Sequence, residues 1–197
     1  MTARFFRYGT GLLAVAVVLV ASLGQVARAA HSNEPDVRPF QFEQYFQGPI
    51  HARGFVKNRG GTIIRRFWAE IVGTWDETDQ TLTLDEILHF DDGENLERVW
   101  KIERVAEGEY VGRAADVEGD ALGETDGLDG ILRYTLNIQF KGMEVAVNID
   151  DFFHVVSNDV LFNRTEMSKF GFNVGTVSTV FYKGDAVPPA IAQSSEP

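Results

Sequence analysis

From residue 48 onward, apolar and polar side chains alternate along most of the chain, as they do in strands that bury one face. Clusters of turn-forming residues interrupt the alternation, and the runs between them are rich in Val, Ile, Thr, Phe, Tyr and Trp. The clusters include Asn58-Arg59-Gly60-Gly61, Asp91-Asp92-Gly93, Asp126-Gly127 and Lys141-Gly142. This pattern predicts about nine or ten antiparallel strands joined by hairpins, a number typical of a barrel or a sandwich.

A different pattern precedes the strands. Pro39 begins an aromatic segment, and Gly48 follows it shortly. The segment contains Phe40, Phe42, Glu43, Tyr45 and Phe46. Because Pro is favoured at the start of a helix and Gly just after its end, the segment predicts one short N-terminal helix.

Five of the predicted strands each carry one ionisable side chain on a face that is otherwise apolar or small. In one strand, positions 82, 84, 86, 88 and 90 are Leu, Leu, Glu, Leu and Phe. Because successive side chains of a strand point to opposite faces, these ionisable groups are predicted to point toward the core. They are Arg65, Glu86, Arg98, Asp151 and Arg164, and the aromatic Trp100 shares the face of Arg98.

Three interpretations of these charges remain open. Buried charges are costly unless they are paired and hydrogen-bonded, so the Arg and acidic side chains could form a structural ion-pair network at one end of a barrel. Alternatively, a guanidinium faces a cavity and holds the carboxylate or phosphate of an amphipathic ligand, since Arg suits bidentate recognition of anions. Catalysis by the same cluster is the third interpretation.

The N-terminus has the organisation of a secretory signal peptide. Arg4 and Arg7 precede an apolar run from Gly11 to Gly24, and Ala27-Arg28-Ala29 offers the small-x-small pattern of a signal-peptidase site. The run is shorter than the roughly 20 residues that a membrane-spanning helix needs. We therefore expect cleavage near Ala29 and a location in the periplasm, with a retained N-terminal anchor as the alternative.

This organisation divides the chain into three expected parts. Residues 1–29 form the signal peptide, residues 30–183 form one barrel-like domain, and residues 184–197 form a disordered tail. No other segment is long and apolar enough to be an integral membrane segment in the mature chain.

Composition narrows the range of partners. The chain has no cysteine, which excludes disulfides, thiol chemistry and acylation of a cysteine. Its net charge is −11, and removing residues 1–29, which hold three Arg and no acid, makes it −14. A surface so negative argues against nucleic acid as a partner and against electrostatic docking on an anionic bilayer.

No motif in the sequence supports a metal site, a cofactor or an enzyme. The four histidines show no spacing typical of metal ligands; they are His31, His51, His89 and His154. The acidic residues between positions 116 and 129 lack the ordered ligand positions of a calcium loop. No Ser lies in a nucleophile-elbow pattern, and no glycine-rich loop precedes a helix.

Several segments in a fixed order carry a resemblance to a known family. They are Tyr45-Phe46, Gly54-Phe55, Arg65-Arg66-Phe67, Gly73-Thr74-Trp75, Leu82-Thr83-Leu84-Asp85-Glu86, Asp91-Asp92-Gly93-Glu94, Arg98-Val99-Trp100, Tyr110-Val111-Gly112, Asp150-Asp151 and Leu161-Phe162-Asn163-Arg164. Over roughly residues 40 to 183, the chain resembles the bacterial envelope proteins grouped as domain of unknown function 3833. The resemblance implies an antiparallel, lipocalin-like β-barrel without an established activity. Many of these relatives look like lipoproteins, whereas this chain has no Cys and is expected to be a free periplasmic protein.

The leading functional hypothesis is a periplasmic protein that binds an amphipathic molecule, such as a lipid or fatty acid, inside the barrel. Its motivation is the set of apolar and aromatic inward faces, which include Phe67, Trp100, Phe153 and Phe162, together with an Arg anchor. The alternative is a structural or interaction module of the cell envelope, with a filled core, a protein partner and no ligand.

Overall fold

The computed structural model describes residues 37–140 and 142–184, and within them one short helix precedes ten strands. The helix is α1 (Phe42–Phe46). The strands are β1 (Gly48–Asn58), β2 (Ile63–Asp76), β3 (Thr81–Phe90), β4 (Asn95–Ala106), β5 (Glu109–Arg113), β6 (Val117–Asp126), β7 (Asp129–Phe140), β8 (Met143–Ser157), β9 (Val160–Lys169) and β10 (Phe172–Lys183).

The ten strands form one closed antiparallel barrel. Each strand pairs with the next along the chain, and β1 also pairs with β10, from Ile50 opposite Lys183 to Asn58 opposite Gly175. Closure leaves none of these ten described strands at a free sheet edge. The predicted all-β, antiparallel barrel with a short N-terminal helix is confirmed. The predicted signal peptide and residues 185–197 of the predicted tail lie outside the described residues.

Alternation sorts the side chains of most strands between the interior and the solvent. In β3, for example, Leu82 and Leu84 are buried, whereas Asp85 is exposed. The period of two therefore identifies the inward face of a strand wherever that face is apolar.

The inward face of β9 differs from the prediction. Alternation assigned Phe162 and Arg164 to the interior, but the structure buries Leu161, Asn163 and Thr165 instead. The physical reason is that Asn163 and Thr165 hydrogen-bond a buried carboxylate on β8, so this strand turns polar groups inward.

Helix α1 closes one end of the barrel. Phe42 and Phe46 are almost fully buried, and both pack their rings edge-on against Phe153 of β8. The helix lies so close to β2 that a Cβ on Gly73 would fall 1.7 Å from the carbonyl oxygen of Phe46. Only glycine permits this approach, which explains why a glycine lies between Ile71 and Trp75 on this face of the strand.

Polar contacts fix α1 in place as well. The carboxylate of the buried Glu43 accepts hydrogen bonds of 2.9 Å from both Arg104 Nη1 and the hydroxyl of Tyr110. The Tyr45 hydroxyl donates to the carbonyl oxygen of Phe181 at 3.1 Å. A buried carboxylate with two donors is satisfied, so the helix acts as a fixed floor for the barrel.

The opposite end of the barrel carries five connections and is not covered by a helix. Because the strands are antiparallel, every second connection lies at this end. These connections join β1 to β2, β3 to β4, β5 to β6, β7 to β8 and β9 to β10. We call this the open end, and the end covered by α1 the closed end.

Candidate functional site

The barrel encloses a cavity of about 1350 Å³ that extends from α1 to the open end. Its floor is formed by Phe42 and Phe46, and residues of the turns at the open end, such as Arg59 and Gly60, surround its mouth. The volume exceeds that of common small-molecule sites, which is roughly 300–1,000 Å³. The filled core expected under the interaction-module hypothesis is not what the structure shows.

Most of the cavity wall is apolar. Side chains near the floor belong to the buried core around α1, and further apolar groups line the wall toward the open end. They include Ile71, Leu84, Ile102, Leu132, Phe153, Leu88, Leu96, Leu136, Ile138 and Val147. Such a wall favours the hydrocarbon part of a ligand over water.

A cluster of polar groups interrupts the apolar wall on β3 and β4. Glu86 and Arg98 are directly opposite each other across this strand pair. Arg98 forms a bidentate ion pair with Asp116 of the β5–β6 connection, with Nε 3.1 Å from Oδ1 and Nη2 2.5 Å from Oδ2. Burial alone would lower the pKa of Arg98, but the hydrogen bonds to Asp116 and the charge of Glu86 outweigh it and raise that pKa.

Glu86 faces the cavity without a hydrogen bond to any described residue. Desolvation by burial raises its pKa to about 7, against the opposing effect of the Arg98 charge. The negative charges of Asp151 and Asp116 contribute to this increase. Glu86 therefore exists as a mixture of acid and carboxylate near neutral pH, and it can donate or accept a hydrogen bond.

A second polar cluster lies across the cavity on β7, β8 and β9. The carboxylate of Asp151 accepts hydrogen bonds from the hydroxyls of Tyr134, at 2.7 Å, and Thr165, and from the amide of Asn163, at 3.3 Å. Burial raises the pKa of Asp151, although these three donors act in the opposite direction. Burial also raises the pKa of Tyr134 well above its usual value. We call the two clusters together the polar belt, formed by Glu86, Arg98, Asp116, Tyr134, Asp151, Asn163 and Thr165.

Trp100 connects the polar belt to the apolar wall. It is buried, lines the cavity, and packs edge-on against the ring of Tyr134 with 5.2 Å between centroids. The structure therefore brings together four of the six predicted site residues, namely Glu86, Arg98, Asp151 and Trp100.

Arg65 lies apart from the belt, at the mouth of the cavity. Its guanidinium pairs with Asp92 and Glu94 of the β3–β4 turn, at 2.6 Å and 2.5 Å, and stacks on the Phe90 ring. With its charge paired at the mouth, Arg65 does not belong to the deep cluster.

Arg164 is on the outside of the barrel, and its assignment to the cluster is wrong. Its side chain is about half exposed and pairs with Glu166, the next outward residue on the same strand. The error follows from the reversed face of β9, where polar side chains point inward.

Asp116, Tyr134, Asn163 and Thr165 were not predicted. Tyr134 lies between Leu132 and Leu136 on one face of its strand. This alternation could have identified Tyr134 as an inward-facing residue. Asp116 gave no signal because it lies in a connection, where solvated carboxylates are common. Across residues 37–140 and 142–184, no three His, Asp or Glu side chains are arranged to hold a metal ion.

The sequence matches the family described as protein of unknown function (DUF3833) over residues 17–183, which is most of the chain. The chain belongs to the DUF3833 family. The resemblance indicated by the sequence motifs is thereby confirmed. No curated protein matches this DUF3833 protein.

Two solved structures show the same fold. The S-type phycobiliprotein lyase CPES from Guillardia theta aligns with a TM-score of 0.51 at 7% identity, covering 71% of this chain and 88% of the lyase. Rv2717c from M. tuberculosis aligns with a TM-score of 0.53 at 16% identity, covering 71% and 92%. At these identities the likeness concerns the fold alone, and the DUF3833 protein is a lipocalin-like barrel, as expected. In the part of the chain that the structure describes, no helix is long and apolar enough to cross a membrane.

Proposed function

We propose that this DUF3833 protein is exported to the periplasm and binds one amphipathic, lipid-like molecule inside its barrel. The observation that carries the proposal is the cavity of about 1350 Å³, with apolar walls and a polar belt. A barrel whose only task was structural would gain stability by filling such a space with side chains, since unfilled volume forfeits packing contacts.

The charges of the belt favour an uncharged polar group on the ligand. Arg98 directs its Nε and Nη2 to Asp116, so its bidentate face is already occupied. The charge of Asp116 balances that of Arg98, so the partly ionised Glu86 leaves the belt with a net negative charge. A ligand carboxylate or phosphate would be repelled, whereas a hydroxyl or amide can donate to Glu86. We therefore favour a hydroxyl-bearing lipid over the anion considered from the sequence.

The proposal of export rests on the signal-peptide pattern of residues 1–29. Periplasmic fractionation followed by N-terminal sequencing is expected to return Ala30 as the first residue. A protein that retains Met1 would contradict export.

Native mass spectrometry of protein purified from its own host tests for a resident ligand. We expect an excess mass under gentle conditions that disappears on denaturation, and lipid extraction should identify it. A clean apo mass, together with no binding of added lipid, would refute the proposed function.

A binding comparison tests the preferred class of ligand. We expect monopalmitoyl glycerol to bind more tightly than palmitate at pH 8, because the two share a hydrocarbon chain and differ in the charge of the polar group. The reporter is the fluorescence of Trp100 in a variant that carries Trp68→Phe and Trp75→Phe.

Two arginine variants supply the matched control for that comparison. Arg98→Leu, inside the barrel, should weaken binding of monopalmitoyl glycerol severalfold, whereas Arg164→Leu, on the outside, should leave it unchanged. Equal effects of both variants, or tighter binding of palmitate, would contradict the role assigned to the belt.

A further inference from the structure

Six large apolar side chains at the open end of the barrel are exposed to solvent. We call them the apolar rim: Ile63, Ile64, Met143, Phe170, Phe172 and Val174. Phe170 is 85% exposed, the largest value among the exposed hydrophobic residues that the structure describes. Single exposed apolar residues need no explanation, but several around one opening are typical of an interaction surface.

The barrel topology places the apolar rim on one side of the mouth. Phe170 lies in the β9–β10 turn, and the other residues lie in the first residues of β2, β8 and β10, beside the β1–β2, β7–β8 and β9–β10 connections. These three connections are neighbours in the order of strands around the barrel. The remaining two connections carry acidic residues instead, with Asp92 and Glu94 between β3 and β4 and Asp116 between β5 and β6. The open end is therefore divided into an apolar half and an acidic half.

The backbone conformation of Phe170 indicates that its side chain does not stabilise the turn in which it lies. Phe170 and Gly171 form a two-residue hairpin turn in which both have positive φ, 52° and 80°. Such turns favour Asn-Gly or Asp-Gly, and a bulky side chain in the left-handed region is strained. The chain thus keeps a strained and solvent-exposed phenylalanine where asparagine would fold more easily.

The charges next to the apolar rim are mostly basic. Lys57, Arg59 and Lys169 border it, and the acidic Glu144 lies near the start of β8. This local balance opposes the net negative charge of the whole chain. Apolar side chains beside Lys and Arg are the composition of surfaces that insert into the interface of a bilayer with anionic headgroups.

We infer that the apolar rim docks this protein on the surface of a lipid bilayer. Ile64 and Val174 of the rim also line the cavity, so the docked surface is continuous with the cavity wall. An apolar chain can therefore pass between membrane and barrel without crossing water. The docking surface contains no residue of the polar belt. The inference of docking therefore does not depend on whether the cavity binds a lipid.

Flotation of the full chain with vesicles tests the docking surface. The vesicles are phosphatidylethanolamine and phosphatidylglycerol at 3:1, with phosphatidylethanolamine and phosphatidylcholine as the uncharged comparison. We expect the protein to float with both, and more with the anionic vesicles. Phe170→Asn should weaken binding about tenfold or more, since a buried Phe side chain contributes strongly to partitioning. Its Tm should stay the same or rise, because Asn suits the turn.

Val156→Asn is the matched control, since Val156 is 62% exposed on β8 near the closed end. It should float like the unmodified protein. Absence of flotation with either vesicle, or equal flotation of the unmodified protein and Phe170→Asn, would overturn the inference. If the protein does not float but forms a concentration-dependent dimer that Phe170→Asn abolishes, the inference is also overturned. The apolar rim would then bind a second copy of the chain instead of a membrane. Because flotation does not depend on the cavity, its failure leaves the proposed ligand binding to be judged separately.

Discussion

Glu86 shows how the cavity alters a single side chain. Its carboxyl lies among apolar groups, across the strand pair from an arginine whose hydrogen bonds go to Asp116. The attraction of Arg98 is therefore too weak to offset desolvation, and the pKa of Glu86 rises to about 7. A group that ionises near neutral pH within a ligand-sized cavity couples the stability of the barrel to pH.

Glu86→Gln is expected to change the pH dependence of stability. In the unfolded chain Glu86 titrates near 4.5, and in the folded chain its pKa is about 7. Between these values the unfolded state binds fewer protons, so the free energy of unfolding of the unmodified protein falls as pH rises and levels off above 7. Gln cannot ionise. Between pH 4.5 and pH 8, the free energy of unfolding of the variant should therefore rise by up to about 3 kcal/mol relative to that of the unmodified protein.

Urea unfolding of both proteins at the two pH values measures this gain. Subtracting the curves cancels the contributions of the other carboxyl groups to first order, including that of Asp151. A difference in stability that is the same at both pH values would show that Glu86 titrates normally in the fold.

At the residue scale, sequence alternation identified Glu86, Arg98 and Asp151 as inward groups and failed for Arg164. The three correct residues share their face with Leu, Ile, Val or Phe, so hydrophobicity marks the face unambiguously. On β9 the inward Asn163 and Thr165 are polar because they complete the hydrogen bonds of Asp151. Asp151 is on another strand, so the local sequence of β9 does not show that these two polar side chains have a buried partner.

At the scale of elements, α1 is the part that most depends on one neighbour. The helix has five residues, too few to be stable in isolation, so packing against the barrel must hold it. Its position on β2 requires the missing side chain of Gly73. Pro39, the aromatic run and Gly48 predicted the helix correctly, but its role as a floor depends on contacts with distant strands.

Gly73→Ala is expected to displace α1 and destabilise the barrel. The new Cβ would overlap the Phe46 carbonyl oxygen, at 1.7 Å, so the backbone has to move. Overpacking of this kind costs typically about 1–3 kcal/mol. Gly60→Ala is the control, because a Cβ there meets only the Asn58 side chain at 3.4 Å in an exposed turn. Thermal unfolding should separate the two, and equal Tm values would contradict the close approach.

At the scale of the whole molecule, the cavity is the feature that the sequence left undecided. Alternation predicts which side chains face inward, and ten strands make a wider barrel than eight. Whether inward side chains meet across the interior depends on barrel diameter and strand tilt, which follow from register rather than composition. A filled and an open barrel therefore look alike in the sequence.

Leu136→Trp is expected to reduce ligand capacity while sparing the fold. Leu136 is half-buried and lines the cavity, so a larger side chain can extend into open space. Binding of monopalmitoyl glycerol should fall severalfold with little change in Tm. Asn148→Trp, on an exposed position of β8, should bind normally. Undiminished binding by Leu136→Trp would place the lipid outside the barrel.

The pairing of β1 with β10 has a practical consequence for handling the protein. It brings Pro49 and Gly184 within a 3.0 Å hydrogen bond at the closed end, so the first and last strands emerge on the side opposite the mouth. A sensor chip or affinity resin coupled to the barrel at this closed end would leave the opening directed at the flowing solution. The cavity of protein immobilised in this way should accordingly be as accessible to a test ligand as the cavity of protein in a cuvette.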